Sequence, residues 1–163
     1  MLIKCVVVNA SPLTCLSKSD LVDLLPSLFK DVAIPEAVIR EVVAKGTVDF
    51  AAETLISNSW IHRIGNVAID PRVASWGLGE GESAVLSFAL RNPEYFAVMD
   101  DREARRCAVS LQCNYIGTLA IVVLAKKRGM IISVRETLRK IQNAGLWISE
   151  TLVNETCRAV GEE

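Results

Sequence analysis

Histidine is nearly absent from this chain: His62 is the single one among 163 residues. The five cysteines, Cys5, Cys15, Cys107, Cys113 and Cys157, contain no C-x-x-C pair, and their number is odd. A zinc centre needs clustered soft ligands, so this composition argues against one. Free thiols in a reducing compartment fit it better. Long hydrophobic runs are missing as well. The longest, Leu119 to Ala125, falls far short of the ~20 residues that a membrane helix needs. The opening MLIKCVVVNASP has one lysine and a very short apolar run, which predicts no signal peptide. An excess of charge is also lacking, since the formal net charge is −1. That argues against a basic nucleic-acid coat and against a disordered acidic tail, and it leaves local basic patches open. The expectation is a soluble, cytoplasmic protein with no membrane association.

What is present is apolar: 51% of the residues, enough for the core of one ordinary domain. Leu2 to Val8 is continuous and rich in β-branched residues, the pattern of a strand buried on both faces. Ser11-Pro12 predicts a helix start, with Ser as N-cap and Pro at the first helical position. Further strands are predicted at Asp31 to Ile34, Trp60 to Ile64, Tyr95 to Met99 and Cys113 to Ile116. Helices are predicted from Pro35 to about Lys45 and over roughly Asp49 to Asn58, Glu80 to Leu90, Arg102 to Leu111, Thr118 to Arg128, Val134 to Ala144 and Glu150 to Val160. Gly65 to Gly77 reads as irregular. Strands alternating with helices imply a mostly parallel sheet covered on both faces. The expected fold is a three-layer α/β/α sandwich over residues 1–132, with a C-terminal helical extension over 133–163 packed on it. Ligands of such sheets lie beyond the carboxyl ends of the strands, which points to Asn9 and to the pair Asp100-Asp101.

Each polar residue there has a local alternative. Asn9 either closes a strand-to-helix turn or faces a site. Asp100 with Glu103 spells a D-x-x-E capping box for the next helix. Glu82 shares a helix face with Val85, Leu86 and Ala89, so it points inward. Complementing the helix dipole explains an acid in that first turn but not its direction. Glu41, in PEAVIREVVAKG, sits on or beside the stripe of Val38 and Val42. A buried carboxylate there needs a cation, a donor or water; an edge Glu reaching solvent is the alternative. Taken together, acids at helix starts and strand ends suit Mg2+ or Mn2+, which prefer oxygen ligands and keep several waters. The glycines of Gly77-Leu78-Gly79-Glu80-Gly81 do not read as a phosphate loop, because no strand directly precedes them and acids crowd the place of the anion.

The order of segments VVVNASPL, VAIPEAVIREV, GLGEGESAVLSFAL, VMDDREARRCA and IGTLAIVVLAKKRGMI resembles the PIN-domain family, and within it a prokaryotic branch of predicted nucleic-acid-binding proteins. The likeness runs from residue 3 to about 132. It implies a metal-dependent ribonuclease, of a kind that is often the toxin half of a toxin–antitoxin pair and often a homodimer. Carried over residue by residue, the family's acidic set falls on Asn9, Glu41, Glu82 and Asp101, with Asp100 adjacent as an alternative. Ser11 and Thr118 would support the same pocket, although Thr118 also reads as an N-cap. Asn9 departs from the family pattern, which has Asp at that position. An amide still offers one oxygen to a metal but brings no charge.

Two functions follow as expectations. One is an endoribonuclease in which Glu41, Glu82, Asp100 and Asp101 hold Mg2+ or Mn2+. RNA backbone contacts would come from Arg102, Arg105 and Arg106, or from Lys126, Lys127 and Arg128. Each basic cluster also reads as an ordinary solvated helix face. The other is a PIN-fold module that binds RNA or a protein with weak or no catalysis, because of Asn9. Leu146, Trp147, Ile148, Leu152 and Val153 give the C-terminal helices an apolar face that either caps the core or pairs two copies. His62 reads as structural.

Overall fold

A computed structural model describes residues 2–45 and 58–163. Five strands form one sheet: β1 (Cys5–Val8), β2 (Asp31–Ile34), β3 (Ile61–Arg63), β4 (Tyr95–Val98) and β5 (Tyr115–Ile116). Their order is β3-β2-β1-β4-β5, and every pairing is parallel. β1 lies in the middle, with Cys5 level with both Asp31 and Tyr95 and Val8 level with Val98. Val6, Val7 and Val8 are fully buried, as expected where helices cover both faces of a sheet. From β1 the chain moves to one side through β2 and β3, then returns to β4 on the other side. The order therefore reverses between β1 and β4, the place where open α/β sheets hold ligands.

Nine helices flank the sheet among the described residues. They are α1 (Ala10–Lys18), α2 (Leu24–Leu28), α3 (Glu36–Ala44), α4 (Pro71–Ala74), α5 (Glu80–Arg91), α6 (Arg102–Ser110), α7 (Thr118–Lys127), α8 (Val134–Asn143) and α9 (Glu150–Ala159). The longer ones bury apolar stripes at helical spacing: Leu13 and Leu16 from α1, Val38 and Val42 from α3, Val85, Leu86 and Ala89 from α5. Full burial of such a side chain contributes about 1.5–3 kcal/mol. A second cluster joins Cys15 of α1 and Val122 of α7 to Leu138 and Ile141 of α8 and Val153 and Cys157 of α9. Glu162 ties this end down: its carboxylate accepts from the Val134 backbone N at 2.7 Å and lies 3.1 Å from Lys126 Nζ. None of the helices among the described residues is long and apolar enough to cross a membrane.

Several local expectations change. The N-cap of α1 is Asn9, not Ser11. The strand ends at Val8, and helical geometry begins two residues earlier than Ser11-Pro12 suggests. The stretch from Gly65 to Gly77 contains α4, started by Asp70-Pro71, where the Asp70 side chain accepts from the Arg72 backbone N. This pairing of an acidic N-cap with Pro at the first helical position is a strong start signal, obscured by the glycines on either side. Ser87 Oγ accepts from the Asp70 backbone N at 2.9 Å, fastening α4 to α5. The helix expected over roughly Asp49 to Asn58 lies outside the described residues except for Asn58. Asp31 receives the Tyr95 hydroxyl and lies 3.1 Å from His62 Nδ1. Both partners meet it at the amino-terminal end of the sheet, so His62 acts structurally there. The two rims of the sheet are short: β5 has two residues, and β3 has three, of which His62 and Arg63 are exposed.

Candidate active site

Asn9 leaves β1 at the order reversal. Its backbone N donates to Val98 O at 3.1 Å, and its carbonyl accepts from Leu13 N at 3.3 Å, so strand and helix both hold it. The side chain is 4% exposed, makes no capping bond, and leaves Oδ1 without a hydrogen-bond partner. The turn-closing role is thus not the one its side chain plays. A buried acceptor left unsatisfied costs about 1–3 kcal/mol, a cost that a ligand at this oxygen would remove.

Opposite Asn9 lies Gly81, in the first turn of α5. A Cβ there would sit 3.4 Å from Asn9 Oδ1, 3.1 Å from Glu41 Oε1 and 3.4 Å from Val38 Cγ2. The missing side chain lets oxygens from β1 and α3 border the same spot. Glu41 is exposed as a residue, yet its carboxylate turns toward this hollow. Glu82, one residue along α5, is half-buried. Burial, and then the negative charges of Asp101 and Glu41, hold its carboxyl above the ordinary range. Glu82 therefore lies in the field of Glu41 and Asp101, although the three come from different helices or their caps.

The two aspartates divide their work. Asp101 is the N-cap of α6, and its Oδ2 accepts from Ala104 N at 3.0 Å. Its Oδ1 has no partner among the described residues. The capping box read from Asp100 and Glu103 does not form; Glu103 instead takes Arg106 Nη1 at 3.1 Å. The backbone stays extended one residue further than that motif requires, through Asp101 itself at φ −63° and ψ 132°. Asp100 consequently turns toward β5. Its Oδ1 accepts from Thr118 N at 2.9 Å, its Oδ2 from the Thr118 hydroxyl at 2.6 Å, and Arg105 Nη2 lies 3.4 Å away. Thr118 is fully buried and follows the N-cap Gly117, so its hydroxyl serves Asp100 rather than capping α7. Any side chain at Gly117 would collide with the Arg105 guanidinium.

The remaining residues fall around this centre. Ser11 is exposed in the first turn of α1 and lines a separate cavity of about 150 Å³ with Thr14, Cys15 and Lys45. Arg102, Arg105 and Arg106 line a groove of about 440 Å³ together with Trp76, Val109 and Tyr115. In the second basic cluster, Lys126 pairs with Glu162 and Arg128 donates to Leu28 O at 2.9 Å, so both are committed to structure. Sequence reasoning missed Gly81, Gly117 and Trp76. The G-x-G-x-G spacing marked the first as special, without showing what approached it.

Among the described residues, no three His, Cys, Asp or Glu side chains cluster closely enough to hold one ion by themselves. Thr118 and Arg105 occupy Asp100, and Asn9 brings oxygen without charge. The donors that border one spot are the Asn9 amide oxygen and the Glu41 carboxylate, while Glu82 Oε1 lies beside Gly79 and feels the charges of Glu41 and Asp101. An all-oxygen set this sparse fits a hard ion that retains much of its own water, and it does not fit a soft metal.

No curated protein matches this chain. A family model described as a PIN domain matches residues 5–162. That span includes all five strands, the hollow at the order reversal and the C-terminal helices, and the chain belongs to the PIN-domain family.

Proposed function

We propose that the chain is a divalent-metal-dependent endoribonuclease that hydrolyses RNA phosphodiester bonds as the toxin of a toxin–antitoxin pair. A PIN domain is a nuclease-type fold, and such domains generally use divalent metals. The observation that carries the reading is the unpartnered, buried Asn9 Oδ1, which borders with Glu41 the space left open by Gly81. Asn9, Glu41 and Glu82 would hold Mg2+ or Mn2+, with Asp101 completing the negative field. Bound there, the ion supplies charge stabilisation at the phosphoryl group and an acidified water. Glu82, in its ionised form, would help to hold the ion and would accept the proton of the attacking water. The water oxygen attacks phosphorus, the bond to the departing ribose oxygen breaks, and that oxygen takes up a proton. Asp100 works at one remove: through Thr118 and Arg105 it fixes the β4–α6 turn that presents Asp101. Arg102, Arg105 and Arg106 supply positive charge for the RNA backbone. Trp147, 84% exposed, and Leu152, 41% exposed, would supply apolar surface to a homodimer.

The test is cleavage of an internally labelled single-stranded RNA by the purified chain. Activity is expected with Mn2+ or Mg2+, none in EDTA, and loss of at least about 100-fold in Glu82→Gln. Cleavage that survives EDTA, or an unimpaired Glu82→Gln, refutes the reading. A second reading, a PIN-fold module that binds RNA or a protein with little catalysis, draws on the uncharged Asn9 and on the lack of a three-acid cluster among the described residues. It gains if the native chain is inactive with metal and Asn9→Asp creates metal-dependent cleavage.

A further inference from the structure

The groove beside Asp101 mixes two chemistries. Arg102, Arg105 and Arg106 give it positive charge, while Trp76, Tyr115 and Val109 give it apolar surface. Val109 is 64% exposed, an isolated apolar side chain among arginines on α6. The three arginines are not equivalent. Arg105 is committed: its Nε donates to Met99 O at 3.0 Å, it pairs with Asp100, and its guanidinium carbon lies 5.7 Å from the Tyr115 ring centroid. Tyr115 therefore already has a cation on its face. Arg102 and Arg106 are exposed, and the only ion pair Arg106 makes among the described residues is a solvent-facing one with Glu103 at 3.1 Å, of a kind that contributes little.

Trp76 is the ring left over. It is half-buried and has no aromatic or cationic partner among the described residues. Its position is well fixed: it follows α4, its backbone N donates to Val73 O at 3.0 Å, and Val73 is fully buried. Three residues later Gly79 caps α5, the helix that carries Glu82. The groove thus lies between the element leading to Glu82 and the helix capped by Asp101.

Resting on the ribonuclease reading, we infer that this groove seats one unpaired nucleobase of the RNA strand, stacked on Trp76, with its flanking phosphates on Arg102 and Arg106. The cavity, about 440 Å³, is the size of a small-ligand site. A base face is available for stacking only when the base is unpaired, so the groove selects single-stranded over duplex RNA. The ring reads no sequence, because every base offers a π-face.

The experiment measures anisotropy of an end-labelled 12-nucleotide RNA with the full chain in EDTA, so that nothing is cut. Trp76→Ala is expected to weaken binding about 10-fold, and Trp76→Phe to stay within about 3-fold of the native chain. A duplex of the same sequence is expected to bind at least about 10-fold more weakly. Replacing Arg102 and Arg106 by Gln should reduce the slope of log affinity against log salt by about 1.4, at roughly 0.7 per phosphate on a single strand. Should Trp76→Ala fail to fold, emission decides: RNA quenches the native chain, and Trp76→Phe, which keeps Trp60 and Trp147, loses that quenching. Native affinity in a folded Trp76→Ala, equal affinity for the duplex, or undiminished quenching in Trp76→Phe overturns the inference. The two readings fail separately. Trp76-dependent binding without metal-dependent cleavage removes the nuclease and leaves the groove; cleavage untouched by Trp76→Ala does the reverse.

Discussion

Asn9→Asp restores a charge where the family pattern has one, and its effect must change sign with the metal. The amide oxygen and Glu41 Oε1 reach the same point beside Gly81 from 3.4 and 3.1 Å, so they are separated by at most about 6.5 Å. Two unit charges at that distance repel by about 2.5 kcal/mol at an effective dielectric of about 20. Solvent on the exposed side of Glu41 lowers this to roughly 1–2.5 kcal/mol. In EDTA at pH 7.5 the variant should therefore melt about 3–8 °C below the native chain. Lowering the pH to 4 should close most of that gap, since a carboxyl pushed up by its neighbours is protonated first and the repulsion disappears with its charge. With millimolar Mn2+ the order reverses: the added charge faces a cation, affinity rises by at least about 10-fold, and the variant gains more melting temperature than the native chain. Differential scanning fluorimetry in EDTA and across a Mn2+ titration reads both arms. Equal melting in EDTA together with equal Mn2+ response would mean that position 9 does not face Glu41, and the proposed centre fails.

Two further predictions concern the surroundings. In Gly117→Ala the new methyl displaces the Arg105 guanidinium from Asp100 and from Met99 O; a loss of about 1–3 kcal/mol is expected by urea denaturation, and a stability equal to the native chain would show that Arg105 has other room. Glu82 titrates above its ordinary value of 4.5. Its favourable contribution to the metal-free chain is fully present below that value and is lost as pH rises through the raised one. Glu82→Gln should therefore remove a loss of stability, worth at most a few degrees of melting temperature, over that window in EDTA. Mn2+ affinity of the native chain should climb across the same window, because the ion binds the ionised form; parallel melting curves for the two proteins would contradict this.

Much of the architecture was legible because burial imposes a pattern. Val6 to Val8 could only be a strand covered on both faces, and the carboxyl-end rule then pointed to Asn9 and the two aspartates. The inward direction of Glu82 followed from its spacing to Val85, Leu86 and Ala89. Other features depend on distances across the fold. Side chains alternate along an extended backbone, so one residue of difference in where β4 gives way to α6 decides whether Asp100 or Asp101 faces the hollow. A capping motif in the sequence chose the wrong one for the cap. Gly81 and Gly117 matter for what approaches them from α3 and α6, and no local pattern records an approach from a distant segment. Trp76 follows a helix of four residues, too short to show any periodicity.

The sheet's two outer strands carry a consequence for assembly. A row of unpaired peptide groups invites another chain to add a strand, and long, flat, apolar rims are the hazardous ones. Here one rim offers two residues and the other offers three, with a histidine and an arginine facing outward. Strand-on-strand growth has almost no template among the described residues.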